Sequence, residues 1–308
     1  MKVIVFGGSG FLGSYVVDEL IARGHRVTVF DRRRSPHNHP DAEVVLGDVL
    51  DSASVAKAVA GHEVVYNFAG LADLNESIGK PVETVRLNVL GNMNVLEACR
   101  AQEGTLKVER FVFASSVYVH SAKGAFYGAS KKASELIIEQ YAQLYGLDYT
   151  IVRYGSVYGE RADDTNRIHR IIRQALTEGK VTFPGDGSEE REYIHGRDAA
   201  KLSVDILDEQ YRNTNVILTG IERFRYSDLL GMLKEMMGGK VEIEMLDQDY
   251  DGHYVQTPYS FTPSVGVKLV NNPSIDFGQG MLSCIESLHA ELSEEGVLAE
   301  PPSATAGK

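Results

Sequence analysis

The sequence predicts an α/β chain: a doubly wound parallel sheet with a smaller C-terminal α/β region. Two patterns carry this. Short apolar, β-rich runs (KVIVFG, RVTVFD, EVVLGD, EVVYNFAG, RFVFASS, DYTIVRYG) recur through the first half, and segments of helical apolar spacing separate them, as at Gly13 to Arg23 and Val89 to Gln102. Strands that are apolar throughout belong in a sheet covered on both faces, and the intervening helices supply the cover through right-handed crossovers.

After Gly159 the pattern loosens. A helix is expected around Asn166 to Glu178, then the turn-rich FPGDGSEE, a helix near Arg197 to Glu209, the strand NVILTG and a helix from Ser227. This divides the chain into a main doubly wound domain over 1–160 and a smaller region over 161–293, from which about 195–220 returns to the main sheet. The small, polar, proline-bearing end, 294–308, reads as a disordered tail.

The bulk composition is ordinary for a globular chain: 308 residues, 43% hydrophobic and 24% charged, with a formal charge of −12. An acidic balance argues against binding nucleic acid non-specifically, because phosphate neutralisation needs a basic field. Arginines concentrate at Arg32, Arg33 and Arg34, and again from Arg153 through Arg161, Arg167, Arg170, Arg173 and Arg191 to Arg197. Each group reads either as a local anion site or as a solvated face. The two cysteines, Cys99 and Cys284, lie in apolar helical contexts and read as buried thiols, with no metal site. No apolar stretch reaches the roughly 18 residues of a membrane span, and the start lacks a signal-peptide pattern, so a cytoplasmic location is expected.

VIVFGGSGFLGSYVVDEL reads as strand, glycine turn and helix. Gly8, Gly10 and Gly13 satisfy G-x-G-x-x-G, and Gly7 extends the register. Such glycines let backbone approach a pyrophosphate, and the helix N-terminus, at Phe11 and Leu12, offers free N–H groups to it. Asp31 closes the second strand about 20 residues on, where a carboxylate accepts the ribose hydroxyls of NAD. Arg32 and Arg33 leave NADP as the alternative. Asp48 and Val49 end the third strand on the same edge, beside the adenine. Phe68, Ala69 and Gly70 end the fourth, Ala69 and Gly70 with little bulk, where a cofactor lies against backbone.

FYGASKKASE sets Tyr127 and Lys131 four apart, one above the other on a helix. A phenol of ordinary pKa about 10 is a poor base at neutral pH unless a neighbouring cation stabilises its anion. Lys131 is spaced to do this. Ser115 and Ser116 end the strand RFVFASS on the edge where open α/β sheets place ligands.

Taken in order, GGSGFLG, Asp31, GDVLD, NVLGNMNVLEA, FVFASS, YGASK, RYGSVYG and PGDGSEEREYIHGRDAA resemble the nucleotide-sugar epimerase and dehydratase branch of the extended short-chain dehydrogenase/reductases. The likeness covers roughly the first two-thirds of the chain. It implies a Rossmann-type domain, bound NAD, a nucleotide-diphosphate sugar as substrate and a homodimer. By the same resemblance Tyr127 is the proton acceptor, and Lys131 also binds the nicotinamide ribose. Ser116 holds the reacting oxygen, with Ser115 as alternative. Tyr154 approaches the nicotinamide and Asn88 packs beside the cofactor. Ser77, Ser156 and Arg191 meet the substrate, although Ser156 stands where the family carries an asparagine and Glu160 where it carries a proline. Val117 and Tyr118 occupy the positions of the acidic residues used for dehydration or decarboxylation. The expected activity is therefore NAD-dependent epimerisation through a transient keto sugar. A ketoreductase or dehydrogenase on the same residues, and a silent NAD sensor or scaffold, are the alternatives.

Overall fold

The computed structural model describes residues 1–100, 108–121, 123–246, 267–269 and 274–297. The first half runs β1 (Lys2–Phe6), α1 (Phe11–Ala22), β2 (Arg26–Asp31), β3 (Glu43–Leu46), α2 (Ser52–Val59), β4 (Val64–Asn67), α3 (Leu74–Gly79), α4 (Pro81–Val85), α5 (Gly91–Cys99), β5 (Arg110–Ser116), α6 (Ala125–Tyr145) and β6 (Tyr149–Tyr154). The rest runs β7 (Ser156–Tyr158), α7 (Arg167–Glu178), β8 (Lys180–Pro184), β9 (Glu190–His195), α8 (Gly196–Asp205), β10 (Thr214–Leu218), β11 (Arg223–Arg225), α9 (Tyr226–Met236), β12 (Glu242–Leu246), β13 (Val267–Leu269) and α10 (Phe277–Glu295).

Eight parallel strands form the main sheet in the order β13-β10-β6-β5-β4-β1-β2-β3. Alternate residues of β1 explain its unbroken apolar run. Val3 and Val5 enter a core with Val16, Leu20 and Leu202 of α1 and α8, while Ile4 and Phe6 enter another with Val55, Leu96 and Ile138 of α2, α5 and α6. Each such fully buried side chain contributes about 1.5–3 kcal/mol relative to exposure. A third core, around Ile172, Phe183, Leu233, Phe277 and Leu288, belongs to α7, α9, α10 and the smaller sheets β11-β9-β7 and β12-β8.

β1 pairs with both β2 and β4, so the strand order reverses between β1 and β4. Open parallel sheets bind ligands beyond the carboxyl ends of their strands at such a reversal.

Several boundaries differ from expectation. α8 stops at Asp205, short of the expected Glu209. A π-helical turn, Arg86–Leu90, precedes α5, which ends at Cys99. Glu294 and Glu295, assigned by sequence to a disordered tail, continue α10, whose cap is Gly296 at φ 69°; residues 298–308 lie outside the described residues. Cys99 and Cys284 are buried free thiols. Among the described residues no helix is long and apolar enough to cross a membrane, and no group of three or more His, Cys, Asp or Glu is placed to hold a metal ion.

Candidate active site

The turn after β1 is shaped by close backbone contact. Gly7 has φ 77°, and a Cβ there would lie 2.7 Å from the Ala69 nitrogen. A Cβ on Gly13 would lie 2.2 Å from the Gly7 carbonyl oxygen, so only glycine lets α1 approach β1 this closely. α1 starts at Phe11 with no side-chain cap, which leaves its first N–H groups available to an anion. At the end of β2, Asp31 accepts hydrogen bonds from the Ser9 and Arg33 backbone N–H groups (3.1 and 3.4 Å), and Arg32 stands exposed beside it.

An open cleft of about 430 Å³ runs over the strand ends. Gly7, Gly10, Phe11, Leu12, Gly13, Phe68, Gly70, Ser115, Ser116, Tyr127, Lys131, Tyr154, Ser156 and Arg191 all line it. Asp48 and Val49 sit at the end of β3, outside the lining: the Asp48 carboxylate accepts from Leu50 N–H, and the Val49 carbonyl from Asn94. Ala69 meets the glycine turn through its backbone. Asn88 is buried behind Gly70, accepting from Leu71 N–H and donating to the Leu71 carbonyl and the Ser130 hydroxyl. It packs the cleft wall and does not line it.

α6 enters the cleft from β5. Tyr127 and Lys131 lie on one face, the ammonium 5.9 Å from the phenol ring centre. Lys131 is only 4% exposed and donates to the Ala114 carbonyl at 2.7 Å. Burial pulls its pKa down to about 8, against the opposing charge of Glu135. Burial pushes the Tyr127 phenol up from its ordinary value, and a hydrogen bond from Ser116 acts the other way. The lowered phenol expected from the spacing is thus absent: desolvation outweighs the Ser116 hydrogen bond. The two serines are used differently, since the Ser115 hydroxyl donates to buried Glu135 at 2.6 Å while Ser116 meets Tyr127.

On the far wall, Ser156 follows β6 and Arg191 comes from β9, its guanidinium donating to the Glu190 carbonyl. Tyr154 presents its ring, but its hydroxyl is turned into the core, 2.6 Å from the Ser203 hydroxyl. Ser77 does not reach the cleft. It is 0% exposed, its hydroxyl donates to the Leu74 carbonyl and accepts from the Tyr127 N–H, and so it anchors the start of α6. Residues the motif reading did not assign to a site also line the cleft: Asn166, Arg167, Arg170 and Tyr226. Arg167 lies over the Tyr226 ring at 4.5 Å, and Arg170 reaches Asp73 across the cleft at 3.6 Å. The cluster of arginines in the sequence was the one signal for Arg167 and Arg170.

A parallel sheet with a glycine turn at its reversal point and a cleft across its strand ends defines a Rossmann-type α/β protein. The chain belongs to the NAD dependent epimerase/dehydratase family, whose model matches residues 3–218, and it is an enzyme of that NAD-dependent family. It is 30% identical over 302 residues to a Methanocaldococcus jannaschii protein provisionally named a UDP-glucose 4-epimerase, covering 91% of this chain and 95% of that one. It is 31% identical over 249 residues to a UDP-N-acetyl-alpha-D-glucosaminuronate decarboxylase of Bacillus cytotoxicus, covering 72% and 75%. The crystal structure of Thermus thermophilus UDP-glucose 4-epimerase in complex with NAD superposes with a TM-score of 0.78 at 26% identity, covering 93% of this chain and 98% of that one.

Proposed function

We propose that this chain is an NAD-dependent epimerase acting on a nucleotide-diphosphate sugar, with Tyr127 as proton acceptor and donor. The meeting of Ser116, Tyr127 and Lys131 beside the glycine turn carries the reading. The residues present fit the cofactor: Gly7, Gly10 and Gly13 leave room for a pyrophosphate, the start of α1 offers it N–H groups, and the Asp31 carboxylate at the end of β2 suits the ribose hydroxyls. Bound NAD supplies a reversible hydride acceptor and a positive ring charge.

The chain's own groups do the rest. Ser116 orients the sugar hydroxyl, and Tyr127 takes its proton and returns it once the keto sugar has turned over. Lys131, cationic below about pH 8, stabilises the phenolate. Val117 and Tyr118 offer no carboxylate, which disfavours elimination of water or carbon dioxide. Arg191, Arg167 and Ser156 suit the substrate's diphosphate, a planar guanidinium being well matched to phosphate. Because the Methanocaldococcus and Thermus relatives are named for UDP-glucose, that sugar is tried first.

The test is incubation with a panel of nucleotide sugars, NMR of the products and simultaneous nicotinamide absorbance. Interconversion of epimers without net reduction is expected, and Tyr127→Phe should cost about 10²–10⁴-fold. Stoichiometric accumulation of reduced cofactor would make the enzyme a dehydrogenase. A homodimer through the exposed apolar side chains Val82, Leu90, Met93, Leu136 and Leu144 is part of the same proposal; sedimentation at the monomer mass would refute it.

A further inference from the structure

One turn beyond Lys131 on the same face of α6 stands a fully buried carboxylate. Glu135 is 1% exposed, and the Arg153 guanidinium grips it with two bonds of 2.9 Å, Nε to Oε1 and Nη2 to Oε2. The Ser115 hydroxyl adds a third bond to Oε1 at 2.6 Å. Ser115 and Arg153 are themselves register partners on β5 and β6. A buried ion pair contributes little net stability, because desolvation offsets most of the attraction. Its position calls for another account.

That position is defined by its neighbours. Ala114, whose carbonyl holds the Lys131 ammonium, directly precedes Ser115, and Ser116, which meets Tyr127, directly follows it. The clamp therefore fixes the end of β5 from behind, and it places a negative charge beside a lysine that burial would otherwise discharge. We propose that Glu135, clamped by Arg153 and Ser115, is a positioning residue that keeps Lys131 cationic and aimed into the cleft.

The charged and titratable groups around Lys131 agree with this. On α6 they are Tyr127, Glu135 and, at the rim, Lys132, 3.9 Å from Glu135. On β6 there is Arg153, and in the turn after β5 there is His120, which burial and Arg153 pull down. β5 contributes the Ala114 carbonyl and the Phe113 ring, 4.8 Å from the ammonium. Glu135 is the group among these whose charge supports the ammonium.

The inference rests on the reading of Lys131 as the partner of Tyr127, but its test needs no turnover. Heteronuclear NMR of the lysine side chains follows the titration of Lys131, its signal assigned by its loss in Lys131→Arg. Glu135→Gln should move the midpoint down, so that the charged-to-neutral ratio at pH 7.5 falls about tenfold. Since that variant strands the Arg153 charge, the double variant E135Q/R153Q, which strands none, should shift the midpoint in the same direction. A merely structural clamp would lower the melting temperature and leave the midpoint where it was. A folded variant of either kind that titrates like the parent overturns the proposal. Inactivity of the parent on every nucleotide sugar would instead overturn the proposed function and leave this result standing.

Discussion

Two adjacent serines at the end of β5 have different partners, and that difference decides what each can do. The Ser115 hydroxyl is held by Glu135, whereas Ser116 accepts from the Tyr118 N–H and meets the Tyr127 phenol. Ser116→Ala should therefore lower kcat by about 10²-fold, as loss of one donor to a developing oxyanion does, with KM little changed. Ser115→Ala should cost clearly less. Steady-state kinetics of the two variants checks this, and equal losses would contradict the assignment. The sequence left the choice open because both serines share a strand end and only the packing of α6 separates them. Tyr127 and Lys131 were legible because helical spacing is a local property. Ser77 was not: its hydroxyl serves its own helix and the start of α6, a use that no motif encodes.

Between elements, one carboxylate ties the first core to the smaller region. Glu160, just after β7, accepts from the Tyr15 hydroxyl of α1 at 2.6 Å, lies 3.2 Å from His195 Nε2 at the end of β9 and 3.5 Å from Arg197 of α8. The hydrogen bond to His195, with that from Tyr15, holds its pKa at about 2. A carboxylate lowered on folding adds stability that is fully present above its ordinary value of 4.5 and is lost as pH falls toward 2. Glu160→Gln should thus cost on the order of 2 kcal/mol at neutral pH, with the gap narrowing below pH 4.5 and closed near pH 2. Urea unfolding of both proteins at the two pH values measures it, and a gap independent of pH would exclude the role. The apolar runs of β1 to β6 were readable because a strand buried on both faces has no polar alternation to confuse it. The π-helical turn at Arg86–Leu90 was not, since tertiary packing sets it.

At the scale of the molecule the candidate site draws on segments far apart in the chain: the turn after β1, the end of β5, α6, the start of α7, β9 and the start of α9. The first three carry short sequence patterns. The last three carry arginines and a tyrosine whose convergence depends on how the smaller sheets sit over the strand ends. The chain leaves the main sheet after β6 for β7, returns through α8 and β10, leaves again for β11 and returns at β13. The two walls of the cleft are therefore laced together by several crossings, unlike lobes joined by one hinge. Swinging them apart would strain all of these connections at once, so a ligand has to slide in through the mouth that already stands open. Solution scattering with and without a nucleotide sugar should accordingly give the same radius of gyration, and a marked contraction would mean that the lacing gives way.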